Sequence, residues 1–279
     1  MSIKLNLLWF RHNYGQLFLV GLCFFLIVGV LHNPLVVQSA TINQARITEI
    51  LDGNQVYING KQAGVNAVAT KGQRVSTRNA RAQLSFNTGA VGRLAHNSVL
   101  TIGQCANLQE GTLLVNGSVN GCTNSTTAGV RGTTYVMAVN ETGQEEIQVL
   151  EGEVVLSKRV NPGIEDGRVI RGLGQKSSVV TVGSRFLQDE LVAQEEETVK
   201  LSAGEKVEIS PNGELGQVQV LTAEEFEQLL TGELFDNFTA ELPGIDKIKE
   251  SFQRLFPGVS FPLSLPDIPS VPQIPGLPF

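Results

Sequence analysis

At 279 residues the chain is long enough for one large domain or two small ones, and a chain of that size needs no metal to complete its core. Its formal charge of −6 comes from 21 basic and 27 acidic residues, and the acidity collects late: residues 161–256 hold 9 basic against 18 acidic side chains, residues 41–160 hold 10 against 8. An acidic second half argues against a nucleic-acid partner, and three histidines leave little from which to build a metal or acid–base site.

Residues 1–40 carry Lys4 and Arg11 and then the apolar run Leu17–Leu31, "LFLVGLCFFLIVGVL". Such a run suits an export signal: it is at the upper end for a cleavable leader and short of the roughly 20 residues that span a bilayer. "VVQSA" puts the small residues Ser39 and Ala40 where cleavage would fall. If the leader is cut, the protein is periplasmic or secreted. If it is kept, the protein is anchored in the inner membrane with its domain outside the cytoplasm, and this segment is its only membrane contact. Cys23 lies mid-run behind Leu22, which does not suit a lipoprotein.

From 41 to 160 the pattern has period two. In "ARAQLSFN" Ala82, Leu84 and Phe86 share one face and Arg81, Gln83 and Ser85 the other, the signature of a half-buried strand. Similar runs recur as "RITEIL", "QVYING", "VLTIG", "GTLLVNG", "TTYVMAVN", "EIQVL" and "EVVLS", separated by turn signals such as "LDGN", "NTG", "HNS", "ETGQ" and "EG". Short strands at that spacing predict a mainly β domain, a sandwich, barrel or solenoid. Cys105 and Cys122 are the two cysteines beyond the leader, and in an exported chain an even pair is expected to form a disulfide.

Residues 161–198 break the rhythm with glycines, an acidic run and one strand candidate, "SSVVTV", and read as a long flexible excursion. Residues 199–221 resume it as closing strands. A helical segment, 222–256, opens at Thr222 with Glu225 three residues on, a capping box. A second helix follows Pro243, with Ile245, Ile248, Phe252, Leu255 and Phe256 on a stripe expected to face the core. The tail, 257–279, holds seven of the eleven prolines. Its last fifteen residues form triplets led by Leu265, Ile268, Val271, Ile274 and Leu277, which polyproline II geometry would align on one edge. Such a strut could dock on a partner or on the chain's own β domain, or be only a tail.

Catalytic constellations are not found. His96 stands alone at an expected strand end, no zinc spacing or nucleophile elbow occurs, and adjacent carboxylates such as Glu145 and Glu146 would point to opposite faces of a strand. No alternating oxygen-ligand loop for calcium is present either. The expectation is therefore a non-enzymatic chain without a cofactor. Lys71, Arg74, Arg78 and Arg81, with Arg93 further on, form the one basic concentration, suited to a glycan, a phosphate or an acidic protein face, or simply to a solvated hairpin.

The stretch "AGVRGTTYVMAVNETGQEEIQVLEGEVVLS" looks at first like a phosphate loop, but Gly129 and Gly132 feed a strand rather than a helix N-terminus and so mark a bulge or a sharp strand entry. Arg131 is then structural or a ligand contact. These residues resemble the FecR-family domain, in which a Val-Arg-Gly-Thr element (Val130, Arg131, Gly132, Thr133) leads a strand and a Leu-Glu-Gly hairpin (Leu150, Glu151, Gly152) closes it. "KGQRVSTRNARAQLSFNTGAVGRLAHNSVLTIG" is similar to the earlier half, although Arg78 stands where glycine is usual and "NTGA" replaces an Asp-Gly-Ser turn. The resemblance implies an extracytoplasmic, β-rich, non-catalytic binding module of the bacterial envelope, its partner an envelope protein or glycan. Its alternative is a membrane-anchored relay of FecR type, tied to iron uptake. The best-known members also carry a cytoplasmic anti-sigma domain, which is not expected from the sixteen residues before the apolar run.

Overall fold

The alternation of residues 41–159 builds two sheets that share one strand. The computed structural model describes residues 41–159, 198–240 and 242–263. The leader, the excursion with "SSVVTV" and the docking tail from Leu265 to Leu277 lie outside the described residues. Among the described residues seventeen strands and two helices follow one another. They are β1 (Gln44–Leu51), β2 (Val56–Ile58), β3 (Lys61–Gln62), β4 (Val68–Thr70), β5 (Arg74–Thr77), β6 (Arg81–Phe86), β7 (Val91–Leu94), β8 (Val99–Ile102) and β9 (Ala106–Gly117). Then come β10 (Gly121–Cys122), β11 (Thr126–Val130), β12 (Thr133–Val139), β13 (Glu145–Glu151), β14 (Glu153–Lys158), β15 (Thr198–Ser202), β16 (Glu205–Ile209), β17 (Gln219–Val220), α1 (Ala223–Thr231) and α2 (Ile245–Leu255). Among the described residues no helix is long and apolar enough to cross a membrane.

The first sheet runs β4-β1-β6-β7-β9-β12-β13-β16-β17 and the second β3-β2-β5-β8-β9-β10-β11-β14-β15. Pairing is antiparallel except between β9 and β10. β9 belongs to both sheets: residues 106–110 pair with β8 in the second, residues 111–117 with β7 and β12 in the first. The change of sheet falls at a bulge, where the register with β8 skips Gln109.

The period of two decides what lies between the sheets. Tyr135, Met137 and Val139 of β12 enter the common core with Leu84 of β6, Leu100 of β8, Leu113 and Val115 of β9, and Leu156 of β14. The alternate residues of the first sheet make a second core: Val91, Leu114, Val136 and Leu150 pack against Phe226 and Leu230 of α1 and Ile248 and Phe252 of α2. The architecture is thus three layers, the second sheet, the first sheet and the helices. This corrects the expectation for β6. Its Arg81 and Gln83 are as buried as Ala82 and Leu84, because the segment after α1 covers the face that alternation assigns to solvent.

The helices stand where the sequence places them. Thr222 accepts from the Glu225 N–H while the Glu225 carboxylate accepts from the Thr222 N–H, the reciprocal capping box. Lys206 of β16 pairs with Glu225 at 2.6 Å and pins that helix start to the first sheet. The stripe on α2 faces inward as expected, with Phe252 packed edge-on against Phe226 at 5.4 Å between ring centres.

Candidate binding face

The Val-Arg-Gly-Thr and Leu-Glu-Gly elements meet in space. β11 and β14 pair in the second sheet and β12 and β13 in the first, so Arg131–Gly132 and Gly152 are neighbouring corners at which the chain steps between sheets. Thr133 donates through Oγ1 to the Glu153 carbonyl at 2.9 Å and closes the two corners on each other. Gly152 has φ +83°, and an added Cβ would lie 2.9 Å from Thr133 Oγ1. Val130 and Leu150 are buried, while Arg131 is exposed at the corner. Burial pushes the Glu151 carboxyl up, against the pull of Lys247 on α2 and the Thr134 N–H. The motif residues thus lie at the corners where the chain passes from one sheet to the other.

A buried polar cluster lies under residues 233–240. Arg93 is 3% exposed; it donates to Gln83 Oε1 at 2.9 Å, to the Leu234 carbonyl at 3.0 Å and to the Ala240 carbonyl at 2.7 Å, with the Phe238 ring 4.3 Å from its guanidinium. Burial lowers its pKa to about 10. Arg81 pairs with Asp52 and donates to the carbonyls of Glu233 and Asp236. The Arg81 hydrogen bond holds the Asp52 carboxyl below its ordinary value. Burial alone would raise Glu49, but donors from Thr239 and Ala240 outweigh it and hold it below its ordinary value. His96 is also engaged: Nδ1 is 2.6 Å from Glu233 Oε2 and Nε2 3.1 Å from Asp52 Oδ2. Arg81 therefore leaves the proposed basic patch, because its charge is spent inside the protein. Nothing in the sequence placed Glu49, Asp52 and Glu233 beside these bases, since their partners lie far along the chain.

The outer face of the second sheet is different. Register places Arg74, Thr101, Asn107, Cys122, Thr127, Ser157 and Thr198 opposite one another on seven successive strands, β5 to β15. Their chain neighbours Val75, Leu100, Ile102, Ala106, Leu108, Ala128 and Leu156 point into the core, so this row points outward. Arg78 lies over the outward Tyr57 ring at 5.6 Å, and Lys71 is exposed in the turn before β5. Three of the four basic residues thus remain exposed at one end of this face.

At the centre of the row Cys105 and Cys122 form the expected disulfide, joining the start of β9 to β10 with Cα atoms 5.8 Å apart. Beside it opens a cleft of about 350 Å³ whose walls include Thr101, Gln104, Asn107, Thr127 and Arg159. Arg159 donates from Nη1 to the Thr123 carbonyl at 2.9 Å. Asn107 Oδ1 is shut off from solvent and, among the described residues, has no hydrogen-bond partner. A buried acceptor without a donor is rare in native proteins. No group of histidine, cysteine or carboxylate side chains able to hold a metal ion occurs among the described residues.

No family model matches the chain, and no curated protein does. Two solved structures from Parabacteroides distasonis, both described as candidate anti-sigma factors, share part of its course. One is 15% identical with a TM-score of 0.38 and covers 57% of this chain and 64% of its own; the other is 16% identical with a TM-score of 0.39 and covers 67% and 80%. A likeness of this size carries neither a family nor a function to this chain.

Proposed function

We propose that the chain is a non-enzymatic binding module of the bacterial cell envelope and that it meets its partner, an envelope protein or glycan, with the outer face of the second sheet. The observation behind this reading is the asymmetry of the two sheets. The middle of the first sheet, β6, β7, β9 and β12, is buried on both faces, against the common core and against the helices and the segment after α1, while the second sends six polar side chains and the bridged Cys122 outward around a cleft. The acidic and basic groups that could act as catalysts, Asp52, Arg81, His96, Glu233 and Glu145, are engaged in contacts that hold loops to sheets. That engagement favours binding over catalysis.

The test is co-sedimentation of the full chain with envelope preparations. A Thr101→Arg/Thr127→Arg double variant, which crowds the face at two outward positions, is expected to retain the fold and lose retention by about tenfold or more, the scale of a central contact. A control, Val220→Arg on the far edge of the first sheet, is expected to be retained like the parent. Equal retention of all three proteins, or no retention of the parent, would sink the reading.

A further inference from the structure

We propose that the cleft beside the Cys105–Cys122 bridge binds the ring of an acidic sugar, a hexuronate, free or at the end of a polysaccharide. This rests on the reading that the outer face of the second sheet is the binding face. A cleft of about 350 Å³ is at the small end of ligand sites and suits one six-membered ring. Its polar lining is chemically narrow. Thr101 and Thr127 bring hydroxyls and Gln104 and Asn107 bring amides, groups that both donate and accept, as vicinal sugar hydroxyls also do. Among the described residues no carboxylate lines the cleft, which disfavours a cation, and no aliphatic side chain lines it, which disfavours an apolar ligand. The disulfide supplies the one soft, weakly polar surface, against which the C–H side of a ring can lie.

Charge narrows the class further. Among the described residues Arg159 is the single cation lining the cleft, and no carboxylate forms an ion pair with it. Its bond to the Thr123 carbonyl fixes the guanidinium and leaves further N–H donors in the planar fork that matches a carboxylate. One cation among hydroxyls and amides suits a ligand with one acid and several hydroxyls; a phosphate would call for more donors of charge. The site is also preformed, since the bridge and the paired strands β9 and β10 hold its floor before any ligand arrives.

The experiment is a titration of the full chain with galacturonate, glucuronate, galactose and glucose, followed by the side-chain amide signals of Asn107 and Gln104 in nitrogen-15 spectra. Both amides are expected to shift on saturation with a uronate. Arg159→Gln is expected to lower uronate affinity roughly tenfold, to that of the neutral hexose, without changing the hexose affinity, as loss of one charge-assisted pair would. Asn107→Val is expected to abolish both while keeping or raising the melting temperature, because it removes an unsatisfied buried acceptor; Thr101→Val serves as the second variant should Asn107→Val fail to fold. A polyuronate arm separates a chain-end ligand from a free monosaccharide, and stronger binding of either supports the site. Amides unmoved by any uronate, or an Arg159→Gln protein that binds uronate like the parent, would overturn it. If that happens while envelope retention still depends on Thr101 and Thr127, the sugar assignment fails and the binding face stands.

Discussion

Arg93 shows at the level of one side chain what seals this protein. Its guanidinium is withdrawn from water, which costs stability, and three hydrogen bonds together with the Phe238 face offset that cost. Arg93→Met keeps the stem and removes the donors, leaving Gln83 Oε1 and the Leu234 and Ala240 carbonyls unpaired. The expected loss is on the order of 3 kcal/mol, read as a lower urea midpoint at unchanged slope. An unchanged midpoint would show that the carbonyls find water. Glu49 and Asp52 give the pH dependence. Both are held below their ordinary values in the fold, so their contribution is complete above the ordinary carboxylate range and is lost as pH falls through the lowered values. Below about pH 4, the Thr239 and Ala240 amides, which donate to Glu49, are expected to lose hydrogen-exchange protection before the amides of β12 do. Glu49→Gln is expected to flatten that early step. Simultaneous loss at both places would contradict it.

Among the elements, the joint between sheets yields the clearest contrast. Gly152 and Gly132 both have positive φ, +83° and +66°, but a Cβ at Gly152 would press on Thr133, whereas at Gly132 its nearest neighbour would be Ser118 Oγ at 3.8 Å. Gly152→Ala is therefore expected to cost about 2 kcal/mol or more, and Gly132→Asn less than about 1, since asparagine tolerates the left-handed region. Equal melting temperatures would show that the joint yields. Much of this was legible in the sequence. The alternation of β12 separates Tyr135, Met137 and Val139 from Val136, and Thr222 with Glu225 marks the start of α1, because both signals are local. β6 was misread for the opposite reason: Arg81 and Gln83 look like a solvent face, and the carbonyl of Asp236 that Arg81 reaches is 155 residues away. A period reveals that a strand has two faces; it does not reveal how many layers will cover them.

For the whole molecule the disulfide and β9 act together. The bridge closes a separation of 17 residues around the strand common to both sheets, and its loss in a Cys105→Ser/Cys122→Ser variant is expected to lower stability by about 3 kcal/mol. Because β9 serves both sheets, the variant is expected to unfold in one calorimetric transition. Two resolved transitions would mean that the sheets are separable. The pairing itself could be read from parity and the export that the leader leads one to expect. The cleft it borders could not, because Thr101, Asn107, Cys122 and Thr127 come side by side only through the register of four strands, one pair of them parallel.

The buried arginines also bear on how the chain comes to be made. Arg81 and Arg93 leave the ribosome well before residues 233–240, whose carbonyls will receive them. Until that segment emerges, β6 and β7 present two hydrated charges and Gln83 on the surface that helices and loop will later cover, so the half-made sheet repels other nascent sheets instead of stacking on them. The same charges become bolts once the C-terminal segment arrives. A chain cut before residue 233 is therefore expected to stay in the supernatant and to be digested readily by proteases, and its aggregation would show that the two charges do not protect the bare sheet.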